Sequence, residues 1–270
     1  MCYSALVKRS LKHLEDSFGA IEVRTDFSLY ERNHQRDPKR FPPFEDRIFP
    51  GYYAPVVYER EGGRVISPMR YGAYPPPSVK NQNAYTTFNA RRDNLTSNFW
   101  SMAFMRHHGV VVLEAFYEWV AVADLLKAKV VTLKDVTAEF ERQKEERKAK
   151  ILAAGKTYKP TATEMKDPML RQIVIEFRPE DGSELYAPTI FSYADVGEEG
   201  ARQMDAGFAI VTDDPPAEVV AAGHDRCPVI LGADAVSDWL KIAGKNAKAF
   251  ETILTQRRRT KFTHKVAEAA

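Results

Sequence analysis

Cysteine is scarce in this chain of 270 residues: Cys2 and Cys227 are the whole complement. Two distant thiols exclude a disulfide framework and a four-thiolate zinc site. No apolar run approaches the roughly 20 residues that a membrane-spanning helix needs. The opening MCYSALVKRS places its cations after a short apolar stretch and lacks a long apolar core, so no secretory leader is expected and the expected compartment is the cytoplasm. Excess charge of one sign is missing too: 39 Lys and Arg against 37 Asp and Glu leave a net charge of +2. That balance neither demands nor forbids a nucleic-acid partner. With 44% hydrophobic and 28% charged residues, the composition predicts a soluble globular protein, long enough for one large domain or two small ones.

The apolar pattern predicts a helix over Leu11–Phe18 and a polar, proline-punctuated surface loop from Asn33 to Phe49. YYAPVVYE and RVISPM, separated by a turn at Gly62-Gly63, predict a hairpin. Buried strands are expected at GVVVLEAFYEWV, QIVIEFRP, PTIFSYAD and GFAIVTDD, and helices across AVSDWLKIA and NAKAFETILTQ. Between Trp119 and Arg171 the pattern changes to a charged helical segment, TAEFERQKEERKAKILAAGK, which reads as an insertion over about 121–166 with a solvated face. No candidate site residue lies in it, so replacement of Ala121–Lys166 by a short linker is expected to leave a folded chain. The expected architecture is α+β. A single domain, residues 1–256, is built around a twisted, mainly antiparallel, barrel-like sheet with peripheral helices; residues 257–270 form a basic tail that is expected to fray.

Chemistry enters at Cys2, where removal of Met1 would place a thiol and a free α-amine on one residue. A 1,2-aminothiol condenses with an aldehyde: the amine forms an imine, and the thiolate closes on the imine carbon to give a thiazolidine. An α-amine titrates near about 7.7–8.0 and a thiol near about 8.5, so both are partly nucleophilic at neutral pH. Other polar residues have plain structural readings when taken singly. Asn89 in FNARRDN suits a helix cap, Glu118 in EAFYEWV a solvent-facing strand position, and His224 in GHDRCPVIL a loop hydrogen bond. His107 and His108 have no cysteine or carboxylate at ligand spacing, so no metal is expected, and no cofactor.

Read together, these segments carry a resemblance. FNARRDN, EAFYEWV and GHDRCPVIL, with MRYGAYPP, YYAP and Cys2, resemble in content and order the signature segments of the SRAP family, proteins that sense abasic sites. The resemblance implies a covalent thiazolidine crosslink between Cys2 and the ring-opened sugar of an abasic site in single-stranded DNA, in the DNA damage response. It implies Cys2 as nucleophile, Asn89 as the group that orients it or the sugar, and Glu118 and His224 as proton carriers. Acid–base chemistry agrees, because ring opening and imine formation each need proton transfer. The same resemblance points to Arg70, Tyr71, Arg91 and Arg226 as DNA contacts: guanidinium groups fork onto phosphate and an aromatic ring stacks on bases. The implied partner is single-stranded DNA containing abasic sites, with no membrane, a monomeric state and association with the nucleoid. Tyr3-Ser4 stands where the family has Gly-Arg, and Tyr71 replaces its usual Trp. Two other functions stay open on these residues: a thiol peptidase that processes its own N-terminus, and a single-strand-binding protein without covalent chemistry.

Overall fold

The computed structural model describes residues 3–8, 10–79, 87–197 and 203–267. In chain order the strands are β1 (Ser4–Val7), β2 (Ile21–Glu22), β3 (Arg47–Ile48), β4 (Tyr53–Arg60), β5 (Gly63–Tyr71), β6 (Asn89–Arg91), β7 (His108–Ala121), β8 (Gln172–Pro179), β9 (Leu185–Asp195), β10 (Met204–Asp213), β11 (Cys227–Pro228) and β12 (Phe262–Val266). The helices are α1 (Leu11–Phe18), α2 (Arg24–Arg36), α3 (Ser101–Arg106), α4 (Val122–Lys127), α5 (Leu133–Ala153), α6 (Ala217–Ala221), α7 (Ala233–Leu240) and α8 (Ala247–Thr255).

β4 and β5 form the hairpin, with Arg60 opposite Gly63. Its turn uses φ +97° at Gly62 and +126° at Gly63, a region that favours glycine. β7 pairs antiparallel with β4 on one side and β9 on the other; β9 pairs with β10, and β10 returns parallel to β5. This circuit closes a mixed barrel of five strands, so the expected α+β barrel is present with a parallel seam that the apolar pattern did not announce. The far half of β7 leaves the barrel and is flanked by β1 and β8, while β12 lies on β8.

The long apolar runs follow from burial on both strand faces. Val56 and Val111 enter one core with Met69, Phe116 and Phe208. Their neighbours Val57, Val110 and Val112 enter a second core, built with Leu14 of α1, Phe104 of α3, Trp239 of α7 and Phe250 of α8. Helices therefore coat the outside of strands whose inner side fills the barrel. Gly207 marks the tightest crossing: a Cβ there would lie 2.3 Å from the Gly72 carbonyl oxygen, so only glycine lets β10 close on β5.

Three expectations change. α2 occupies residues left unassigned by the pattern and reaches into the start of the expected loop; it is polar and buries only Tyr30 and Asn33. Through Ala267 the basic tail is ordered: β12 pairs with β8 from Phe262↔Pro179 to Val266↔Ile175. Its Phe262 is buried while Thr263 and Lys265 face out. The insertion is not a detachable excursion either. Val122, Leu125, Val136 and Phe140 are buried in the barrel core cluster beside Val219 and Ala222, and the Arg171 guanidinium lies 3.3 Å from the centre of the Phe140 ring. Only the outer part of α5 matches the solvated reading, with Arg142 paired to both Glu139 and Glu146, and Lys144 and Lys148 each paired to a glutamate three residues back.

Candidate active site

β7 brings the first functional group into place. Its side chains alternate, but Tyr117 is 4% exposed, Glu118 0% and Trp119 43%, so the solvent-facing position is Trp119 and the carboxyl is sealed inside. Burial pushes the Glu118 carboxyl up to about 8, with the Asp225 charge adding to the rise. Opposite it stands His224, on the loop that follows α6. Its Nε2 lies 3.2 Å from Glu118 Oε2, with 10% of its side chain exposed. Desolvation lowers His224 below the usual imidazole value. The two groups are thus a neutral acid and a neutral base across one contact. The ring's other nitrogen, Nδ1, lies 3.0 Å from the Arg226 carbonyl and 3.2 Å from the Arg226 amide. The shorter contact selects the tautomer in which Nδ1–H donates to that carbonyl, which leaves the Nε2 lone pair facing Glu118.

The His224 loop has a backbone requirement. Gly223 takes φ +83°, and a Cβ there would meet Val120 Cγ1 at 2.9 Å and Asp124 Cβ at 3.1 Å. Glycine lets the loop settle onto the end of β7 and onto α4, so the root of the insertion is the floor beneath His224.

The start of the chain arrives at the same place. β1 pairs with β7 at Ser4↔Tyr117, and the Tyr3 amide donates to the Tyr117 carbonyl at 3.0 Å. Tyr3 is therefore alongside Glu118 in register. Cys2, its covalent neighbour, lies outside the described residues. The Tyr3 ring meets Phe49 and Trp119 edge-on, with centroids 5.6 and 5.5 Å away. Ser4 is fully buried, and its hydroxyl accepts from Arg47 Nε at 3.1 Å. Where the resembled pattern carries arginine at position 4, this chain brings a guanidinium to that residue from β3. No sequence signal announced Arg47, because 43 residues separate the partners.

Asn89, 6% exposed, opens β6 and pairs with Ile210 of β10. Thr212 of the same strand pairs with Arg91 on one edge and Pro228 on the other. β10 thus ties the Asn89–Arg91 segment to the segment carrying His224 and Arg226. Arg91 holds Asp93, and Arg226 Nη1 holds Asp214 Oδ1 at 3.0 Å. Asp93 is held below the usual carboxylate range by Arg91 first and also by Arg226, so the two arginines share one electrostatic neighbourhood. Arg91 and Asp93 are 49% and 63% exposed, and such a surface pair exchanges for another anion at little cost; Asp214 is 84% exposed, whereas Arg226 is largely buried at 13%.

Arg70 is placed apart from this cluster. It lines a groove of about 920 Å³ with Lys39, Arg40, Tyr52 and Tyr74. Tyr52 connects that groove to the chain start through Phe49, at 5.5 Å. Tyr71 requires correction. Its ring is fully buried, stacked on Phe208 at 5.3 Å and edge-on to Phe88 at 5.6 Å, so it has no face for a base and belongs to the core. His108 is likewise structural, between the Phe104 and Trp239 carbonyls at 2.5 and 2.8 Å.

A closed barrel that seals a carboxyl against an imidazole beside the first strand of the chain defines an acid–base site served by the N-terminal segment. The chain belongs to the SRAP family, described as SOS response associated peptidase, whose family model matches residues 1–269. Membership places it among SOS-associated, peptidase-like proteins connected with DNA damage. A search of curated proteins finds no match. Among solved structures, a protein from Bordetella bronchiseptica is 14% identical with a TM-score of 0.60, covering 99% of this chain and 100% of that one. A protein from Bacteroides thetaiotaomicron is 12% identical with a TM-score of 0.58, covering 99% and 92%. A phage-related protein from Bordetella bronchiseptica is 14% identical with a TM-score of 0.54, covering 89% and 90%. At such identity these likenesses establish the fold alone.

Proposed function

We propose that this protein captures abasic sites in single-stranded DNA by condensing the aminothiol of Cys2, exposed by loss of Met1, with the aldehyde of the opened sugar. The observation that carries the reading is the sealed Glu118–His224 contact in register with Tyr3. Protonated Glu118 gives its proton to the sugar ring oxygen as the ring opens to the aldehyde. The Cys2 amine adds to that carbon, its proton passes to neutral His224, and the hydroxyl leaves as water once protonated. The thiolate then bonds to the imine carbon and the nitrogen regains a proton. One C–N and one C–S bond form and one water is released. Asn89 offers an amide that can donate to the developing alkoxide and accept from the amine without titrating. Arg91 and Arg226, beside the pair, hold the flanking phosphates by exchanging Asp93 and Asp214 for them.

The test is an abasic single-stranded oligonucleotide incubated with the purified protein. A heat-stable adduct is expected on a denaturing gel, with an intact mass equal to the chain without Met1 plus the oligonucleotide minus one water. Cys2→Ala should give no heat-stable adduct. A peptide fused ahead of Cys2, which blocks the amine and leaves the thiol, should abolish both that adduct and any borohydride-trapped imine. A heat-stable adduct from either protein would move the covalent chemistry to another residue.

A further inference from the structure

The ordered C-terminal segment Arg257–Lys261 borders a groove of about 590 Å³ whose opposite wall includes Asp214, Cys227 and Pro228. It is a fixed rim. The Arg258 amide donates to the Ile230 carbonyl at 2.7 Å, and its guanidinium donates to Thr260 Oγ1 and the Glu184 carbonyl at 3.0 Å each. The Glu180 amide donates to the Lys261 carbonyl at 2.9 Å, and the Phe262 amide donates to Glu218 Oε1 at 2.9 Å. Arg257 turns back toward the site, with Nη1 3.1 Å from Asp213 Oδ2 and 3.0 Å from the Asp214 carbonyl. Asp214 is also the carboxylate that Arg226 holds. Arg226 and Arg257 thus meet at Asp214, and four cations, Arg257, Arg258, Arg259 and Lys261, line the groove against two carboxylates, Asp214 and Glu218. There Arg259 and Lys261 are exposed and make no ion pair with a carboxylate among the described residues. Two solvated cations on a backbone pinned by three hydrogen bonds suit a polyanion that follows the surface, because the rim loses little freedom when it binds.

We infer that this groove carries backbone phosphates of the single strand beyond the reaction site, with Arg259 and Lys261 as its phosphate contacts. The inference rests on the reading that the Arg91–Arg226 cluster faces single-stranded DNA, and it adds a second, sequence-independent track on the far side of Arg226. Its occupant is the DNA strand itself, selected by the excess of cations over carboxylates in the groove and by Asp214, which joins the groove to Arg226. An acidic protein segment would be the alternative, and the length dependence below separates the two.

Binding of fluorescent strands followed by anisotropy across a salt series tests this. With long strands, lesion-free or abasic, the slope of log K against log salt for the double variant Arg259→Ser/Lys261→Ser should be shallower than that of the unaltered protein by about 1.4, since each phosphate contact on a single strand contributes about 0.7. Adduct yield on a minimal abasic strand, too short to reach the rim, should be unchanged. The charge-conserving Arg259→Lys/Lys261→Arg protein should keep the full slope, as should Lys134→Ser/Lys150→Ser on the exposed face of α5. An unchanged slope in Arg259→Ser/Lys261→Ser, or an equal loss in the α5 control, overturns the inference. Unaltered protein that shows the rim-dependent slope on lesion-free strands yet forms no adduct with an abasic strand would overturn the crosslinking function and leave the groove standing. Failure to bind any long strand overturns the groove, and adduct formation on the minimal strand in that case would leave the crosslinking function intact.

Discussion

At the scale of single residues, the site turns on a carboxyl that burial keeps protonated. Glu118 is held at about 8, so its acid form is present at neutral pH and is lost above about 8. The Cys2 amine must in turn lose its proton, near about 7.7–8.0. Adduct formation should therefore rise and then fall with pH, with the falling limb set by Glu118. Glu118→Gln should slow adduct formation by about 10²- to 10⁴-fold and remove that limb, as single-turnover rates across pH would show. The same shift makes a stability statement. A raised folded value means that the folded chain keeps a proton the unfolded chain has released, so the contribution is full below the ordinary carboxylate value and is lost as pH rises toward about 8. Glu118→Gln cannot ionise, and its melting temperature relative to the unaltered protein should climb between about pH 5 and about pH 8 and level off above that. A constant difference across that range would show that the carboxyl is ionised in the folded chain. Tyr71 shows what a two-residue period can reveal at this scale. Met69 and Tyr71 are fully buried while Arg70 between them is half-exposed. Alternation along β5 separates the arginine from its aromatic neighbour, whereas resemblance placed both against DNA.

At the scale of elements, the strands from β7 to β10 and helices α1, α7 and α8 were legible because each carries either a continuous apolar run or a clear apolar stripe. α2 was not, since a helix that buries two residues leaves almost no periodic trace. β12 was hidden for another reason: the alternation of Phe262, His264 and Val266 is overlaid by the basic residues around it. The insertion misled because its charge pattern describes α5 alone, while the anchoring residues Val122 and Leu125 sit in a short helix before it. Those contacts set the outcome of deletion. Losing Val122, Leu125, Val136 and Phe140, at about 2–5 kcal/mol for each large apolar side chain removed from a core, is comparable with the whole of the roughly 5–15 kcal/mol that holds a domain folded. Replacement of Ala121–Lys166 should therefore yield a chain that does not melt cooperatively. Replacement of Gln143–Thr163 alone removes no buried apolar side chain and leaves Gly223 its floor at Val120 and Asp124. That shorter variant should fold and form adduct at the unaltered rate. Circular dichroism melts and the gel assay on both variants check the pair of outcomes.

At the scale of the whole molecule, the candidate site draws on distant stretches of chain, the segments around Tyr3, Asn89, Glu118 and His224, and only the order of the signature segments hinted that these are brought together. The meeting itself depends on the closed barrel: β10 joins the Asn89 and His224 segments, and β7 presents Glu118 to the strand that begins the chain. Neither the parallel β5–β10 seam nor the Arg47–Ser4 bond can be read from local pattern, because both join residues far apart in sequence. This assembly also limits the form of DNA that can react. Glu118 is fully enclosed and only 10% of the His224 side chain reaches solvent, so the sugar must come to the pair by leaving its own strand's stack. In a duplex, that excursion costs unstacking on both sides and must bring a paired partner strand against the barrel wall. In a single strand the sugar is already exposed. Adduct yield should accordingly be high for a lesion in a single strand, similar for one placed in the single-stranded arm beside a duplex junction, and far lower for one in the middle of a long duplex. The comparison is made at matched lesion concentration with equal borohydride-trapped aldehyde in each substrate. Equal yields from the internal duplex lesion would mean that the barrel opens or that the sugar is reached by another route, and would remove enclosure of Glu118 as the source of selectivity.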